Sequence, residues 1–264
     1  MPKTSINPES DEAVTTTLSK TESAAMAQTP SGYDADQYDD PTRDISTPVL
    51  GLVNKVGKPS KQWPKNVGEL YLGDSIIGET VRAIPVGIVK FFVESCRDGQ
   101  VLKFGGDIIP KVFSSATEAA AAGYVLDFDN VARNRVEEAA KIGWLVLKPE
   151  GFDDEAGEFV LDMPSGAVAA VAKTTVKRGG YRGTFKPIYN YAVKMLRASG
   201  GQLQPTASET FLKAGGFKSV WDITVDHCEG GDNDWYELRA RRVSSLSDID
   251  LDWVKEQMPS ISIL

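Results

Sequence analysis

Between Met163 and Ser208 the chain carries Lys173, Lys177, Arg178, Arg182, Lys186, Lys194 and Arg197 and neither Asp nor Glu. Such cations neutralise phosphates, and the interleaved Tyr181, Phe185, Tyr189 and Tyr191 offer flat faces on which unpaired bases stack. A second stretch repeats the pairing. From Asp44 to Glu69 no acid intervenes, and Lys55, Lys58, Lys61 and Lys65 recur every three or four residues around Trp63. Gly57, Pro59 and Pro64 forbid a helix there, so this is a basic loop carrying an indole. The chemistry is that of a sequence-tolerant single-strand binder. Lys55, Lys58, Lys61, Lys65, Lys173, Lys177, Arg178, Arg182 and Lys186 meet phosphates, while Trp63, Tyr181 and Phe185 stack on bases. Each stretch also has a plainer reading. The first is equally a solvated helix face followed by a half-buried strand whose aromatics enter the core, and the second a loop whose Trp63 folds back to seal the core.

Other chemistry lacks its residues. His227 is the only histidine, so neither a Ser-His-Asp triad nor a multi-histidine metal site can be assembled. Cys96 and Cys228 are the only cysteines, far apart and without C-x-x-C spacing, which fits a reducing compartment and argues against structural zinc. Asp226, His227, Cys228 and Glu229 are neighbours in a strand, where successive side chains point to opposite faces and cannot all converge. Asp153, Asp154, Glu155 and Glu158 lack the spacing of a calcium loop and read as a solvated turn. No P-loop is present; the run from Lys177 to Gly183 is a basic, glycine-rich arm suited to wrapping a strand. A two-metal nuclease needs clustered carboxylates, and the basic stretches contain none. The expectation is a non-enzymatic protein with no catalytic residue, metal or cofactor.

The frame that must hold these cations is acidic overall. The net charge of −8 over 264 residues is unevenly spread: residues 1–46 hold nine acids and three bases, a net of −6, and residues 248–264 four acids and one base, a net of −3. Thr47 to Ser247 is left at +1, a near-neutral body compatible with a polyanion. Residues 1–46, rich in Ser, Thr, Ala, Pro and Asp, read as a disordered acidic segment. No apolar run approaches the roughly 20 residues of a membrane span and the N-terminus has no apolar signal core, so a cytoplasmic protein without membrane attachment is expected.

Residues 47–243 read as the body, a mainly β domain with a few helices and strands enough for an antiparallel barrel or sandwich. Strands are expected at Glu69–Leu72, Val81–Glu94, Val101–Phe104, Trp144–Leu147, Glu158–Leu161, Ile188–Arg197, Lys218–Asp226 and Trp235–Val243. Helices are expected at Ser114–Ala122, Val131–Ile142 and Ser165–Arg178. Residues 244–264 form an acidic C-terminal tail or helix capped by Ser247, which either docks on the body or is captured by partner proteins.

The runs TPVLGLVNKVGK, GELYLGD and VRAIPVGIVKFFVE, followed by YNYAVKMLRAS, WDITVD and DWYELRARRV, resemble a family of tailed-bacteriophage single-stranded DNA-binding proteins of the replication and recombination module. The similarity spans about Ser46 to Val243. The resemblance implies an OB-like β-barrel, non-enzymatic binding of single-stranded DNA in the host cytoplasm, and replication or recombination partners recruited by an acidic tail. Asp248 to Leu264 is similar to such tails in sense but reads as helical, with its acids well before the terminus. The alternative from a different class is a virion or scaffold-associated β protein whose basic segments answer acidic patches on neighbours.

Overall fold

The long β-branched run that follows Gly78 becomes the central strand, against which the other elements are arranged. The computed structural model describes residues 47–52, 68–102, 108–126, 134–230 and 233–258. The expected disordered segment 1–46, and the loop with Lys55, Lys58, Lys61, Trp63 and Lys65, lie outside the described residues. In chain order the elements begin with β1 (Leu50–Leu52), β2 (Leu70–Leu72), β3 (Ser75–Gly78), β4 (Thr80–Arg97), β5 (Gln100–Val101), β6 (Val112–Phe113) and α1 (Ala116–Ala121). They continue with β7 (Arg135–Leu147), β8 (Leu161–Asp162), β9 (Val168–Lys177), α2 (Arg178–Gly180), a π turn (Tyr181–Phe185), α3 (Lys186–Ala198) and α4 (Ala207–Ala214). A 3-10 turn (Gly216–Lys218), β10 (Ser219–Gly230), β11 (Asn233–Ser245) and α5 (Asp248–Gln257) complete them.

The architecture is mainly antiparallel β with a few helices. One sheet runs β11-β10-β4-β7-β9-β8, with β5 and β6 added to β4, and a second runs β1-β2-β3. Among the described residues neither sheet closes, so these strands do not complete a barrel. The reason lies at β9. Among the described residues its outer edge is taken by β8 at Val168 and Ala169 and by one parallel bridge from Val49 to Lys173, with no strand following towards Lys177. β1 stands there between β9 and β11, at the seam where closure would occur.

Alternation along the strands divides the core. Ala83, Ile142, Trp144, Ala170, Ala172, Trp221 and Ile223 face Phe185, Ile188, Ala192 and Phe211 of the helical layer and the leucines of β1 and β2. Ile84, Leu145, Ala169 and Val220 face the opposite way, against Val254 and Trp253 of α5. The C-terminal segment therefore docks through Met258: Ser247 caps α5 by accepting from the Asp250 amide, and the Asp250 carboxylate accepts the Ser165 amide at 3.0 Å.

Four segments differ from their sequence reading. Glu158–Leu161, read as a strand, reaches a strand only at Leu161, where β8 begins. Val131–Ile142, read as a helix ended by Gly143, lies in β7 from Arg135 onward, and Gly143 instead faces Gly87 across a register shift in β4. Ala-rich Ser165–Arg178, also read as a helix, is β9, where Ala170 and Ala172 leave room for the indole of Trp144. β7 is paired on both sides and β9 along its length by β7, and this pairing overrides the helix propensity of Ala, Glu and Lys. Conversely Ile188–Arg197 is helical. Ile188, Ala192 and Leu196 recur every four residues and are buried together, a helix period that the alternating tyrosines mask. The predicted helix at Ser114–Ala122 and the hairpin turn at Asp98-Gly99 are present, both turn residues having positive φ (48° and 79°).

Packing on β1 requires that Gly51 carry no side chain. It pairs with Tyr71, whose phenol ring lies over its Cα, so a Cβ would overlap the ring. Gly51→Ala is expected to cost about 1–3 kcal/mol through overpacking, visible as a lowered thermal midpoint; an unchanged midpoint would show that the ring moves aside freely.

Candidate functional site

The open edge of β9 produces a cleft. β9 presents Lys173, Thr175 and Lys177 on one face, and register places Lys141 of β7 opposite Thr175, so three lysines stand together on that face. β9 then turns sharply. Arg178 has φ +52°, a left-handed conformation that non-glycine residues adopt at a cost of about 1–3 kcal/mol. That turn directs the guanidinium back over the sheet, where Nε donates to the Glu137 carboxylate at 2.6 Å.

The two glycines that follow do not form the wrapping arm read from the sequence. Gly179 and Gly180 open the helical segment, and Gly179 packs so closely on Glu237 of β11 that a Cβ would overlap the carboxylate. Gly183 meets the Leu238 carbonyl in the same way, and Thr184 Oγ1 donates to that carbonyl at 2.9 Å. The π turn has a covalent cause downstream. Pro187 has no N–H to continue the α pattern, and the Lys186 amide bonds back to the Tyr181 carbonyl, five residues away.

Between β1, the end of β9, α2 and the Trp235–Leu238 end of β11 lies a cavity of about 840 Å³. Its described lining carries Lys141, Lys173, Lys177, Arg178 and Arg182 against one acid, Glu237. Glu237 is already engaged, accepting from Trp235 Nε1 at 2.9 Å and lying 3.4 Å from Arg239. Three half-buried aromatics, Tyr71, Trp235 and Tyr236, complete the walls. Lys141, Lys173 and Arg182 form no ion pair with any described residue, so their charge is available to a ligand. Burial lowers the pKa of Lys141, and the neighbouring charge of Lys173 lowers it further. Burial pushes Lys177 down to about 8; the Glu137 carboxylate, 3.5 Å away, opposes the shift and the Arg178 charge adds to it.

A smaller cavity of about 530 Å³ adjoins on the far side of the same two arginines. Ser95, Arg135, Glu137, Glu138, Tyr181 and Lys186 line it together with Arg178 and Arg182.

Of the residues singled out from the sequence, the structure brings together Lys173, Lys177, Arg178 and Arg182, with Lys186 in the neighbouring cavity. It removes two stacking candidates. Tyr181 is 3% exposed and Phe185 1%, because the π turn drives both rings into the core, where they stack on each other at 4.8 Å and Phe185 stacks on Tyr189 at 5.6 Å. Neither has a face for a base. Lys194 and Arg197 lie on the exposed side of α3, outside both cavities. Leu52 lines the larger cavity and Gly68 packs on Tyr236, so the described residues flanking the lysine-rich loop both stand at the cleft.

Sequence reasoning missed Lys141, Tyr71, Trp235 and Tyr236. Lys141 is hidden behind Glu137 and Glu138, but the hairpin register of β10 and β11 could have placed Trp235 and Tyr236 near its tip. The His227 ring lies tilted against Tyr236, with centroids 4.9 Å apart, and is 3.7 Å from Glu229, while Asp226 pairs with Arg239 at 3.0 Å, so the reactive quartet is divided between separate contacts. Asp154 accepts the amides of Glu158 and Phe159, which makes the acidic turn a structural one. Among the described residues no three His, Cys, Asp or Glu side chains are grouped to hold a metal, and no helix is long and apolar enough to cross a membrane. Comparison with models of protein families, with curated proteins and with solved structures yields no match.

Proposed function

We propose that the protein binds single-stranded DNA without sequence preference or catalysis, in the cleft between β9 and β11. One observation carries this reading: among the described residues, five cations and three aromatic side chains converge on a cleft lined by one acid. Lysine and arginine meet phosphates, and Tyr71, Trp235 and Tyr236 supply stacking of about 1–3 kcal/mol per base. Aromatics set inside a cleft are useful to splayed, unpaired bases, whereas duplex bases are stacked on one another. The resemblance to phage single-stranded DNA-binding proteins supports action in phage DNA replication or recombination, in the host cytoplasm. An OB-like relationship belongs to the same proposal, supported by the antiparallel sheet with its ligand cleft at the seam. Recruitment of replication or recombination proteins through the acidic C-terminal tail, residues 244–264, belongs to the same proposal.

The test is fluorescence anisotropy of labelled oligo-dT, with a duplex control, at three salt concentrations. Preferential single-strand binding is expected, with log K falling against log salt by about 0.7 per phosphate contact. Absence of binding at low salt would refute the proposal and leave the virion or scaffold reading.

Binding should also depend on pH. Lys177 is cationic below its pKa of about 8 and neutral above it, so its phosphate contact is present at pH 7 and lost as pH rises to 9. Affinity is expected to fall several-fold over that range at constant ionic strength. Lys177→Arg should reduce the fall, because guanidinium stays charged throughout, and what remains belongs to Lys141, whose pKa is also lowered; an equal fall in the variant would assign the titration elsewhere.

A further inference from the structure

We propose that the smaller cavity is the second half of the binding path, holding the phosphodiester backbone of a single strand that has crossed from the larger cleft over Arg178 and Arg182. This path presupposes the strand binding proposed for the larger cleft and adds where the strand goes next.

Geometry supports the continuation. Arg178 and Arg182 line both cavities, so a strand neutralised by them from one side is at the mouth of the other. The acids beyond them are occupied. Glu137 is 1% exposed and held by Arg178 at 2.6 Å and Lys177 at 3.5 Å, and Glu138 is held by Lys90 at 2.6 Å. Lys186 is exposed and makes no ion pair with a described residue; its ammonium sits 5.6 Å from the Tyr181 ring centre, whose buried phenol forms the wall beneath it. Arg182 and Lys186 are four residues apart on one helical segment and both line the smaller cavity, so successive phosphates of an extended strand can follow them. Aromatics in contact with the ligand belong to the larger cleft alone, since Tyr181 is covered. The second half therefore grips backbone without stacking bases, and its contribution is electrostatic and sensitive to strand length.

Anisotropy on the full-length protein with oligo-dT from about 4 to 16 nucleotides, the span of known single-strand site sizes, tests this path. Short oligonucleotides should occupy the larger cleft, and affinity should rise further once the strand is long enough to reach Lys186. Lys186→Gln, a solvent-exposed change, is expected to leave the short oligonucleotides at wild-type affinity. For the longest it should remove the added affinity and reduce the salt slope by about 0.7, one phosphate contact. An unchanged slope on the longest oligonucleotide, or an equal loss on short and long, overturns the path. Failure of the wild-type protein to bind any length refutes strand binding itself, a separate result.

Discussion

Replacing Lys173 and Arg182 together by alanine is expected to weaken oligo-dT binding at least about 100-fold, since each charge-assisted contact contributes roughly 1.5–3 kcal/mol. The salt slope should shrink by about 1.4, two phosphate contacts. These two residues are the informative pair because neither is paired with a described acid, so their removal strands no carboxylate. Arg178 and Lys177 would be poorer choices. Both hold Glu137, whose buried carboxylate would be left uncompensated, and lost binding could then reflect lost folding. The thermal midpoint of the double variant should stay within a few degrees of wild type, and the duplex control should change little. If affinity is unaffected while folding is intact, the cleft is not the DNA site, whatever binds elsewhere on the molecule.

Thr174→Val is expected to have the largest effect on stability among substitutions that preserve shape. Trp144 is fully buried, and its Nε1–H donates to Thr174 Oγ1 at 3.1 Å; the threonine hydroxyl in turn donates to the Leu50 carbonyl at 2.7 Å. This two-bond relay joins β7, β9 and β1 at the seam of the sheet. Valine fills the same space but leaves a buried indole N–H and a buried carbonyl without partners, at about 1–3 kcal/mol each. The thermal midpoint should fall by on the order of 10 °C. Thr174→Ser retains the hydroxyl and should lose only about 1 kcal/mol for its missing methyl. Because β1 carries Gly51 against Tyr71, the valine variant should also bind oligo-dT more weakly at temperatures where it remains folded. A valine variant as stable as serine would mean that the relay contributes nothing and that apolar packing alone holds β1.

The relay and the cations of the cleft are linked through β9. Alternation sends Thr174 into the core and Lys173, Thr175 and Lys177 to the other face, so one strand both anchors the seam and charges the cleft. A one-residue slip of β9 would exchange the two sets, burying lysines and exposing the relay. The alanines that mislead a helix reading are part of that arrangement, since larger residues at 170 and 172 would displace Trp144 from its place over the strand.

Features that depend on neighbouring residues are legible in the chain without its fold. The segregation of acid to the two ends, the acid-free stretch from Met163 to Ser208, the Asp98-Gly99 turn, the Ser247 cap and the long strand from Thr80 are all local and need no partner. The class, mainly antiparallel β with a few helices, rests on the same signals. The remaining features arise only on folding, because they depend on contacts between residues far apart in the chain. Pairing with β4 and β9 makes β7 a strand although Glu137 to Lys141 favour a helix, and the wall of β11 forces glycine at 179 and 183. Tyr181 and Phe185 have the composition of a stacking platform, yet the π turn before Pro187 commits them to the core. The aromatics that reach the cleft instead, Tyr71, Trp235 and Tyr236, come from strands separated by more than half the chain, a convergence that only the folded sheet can produce.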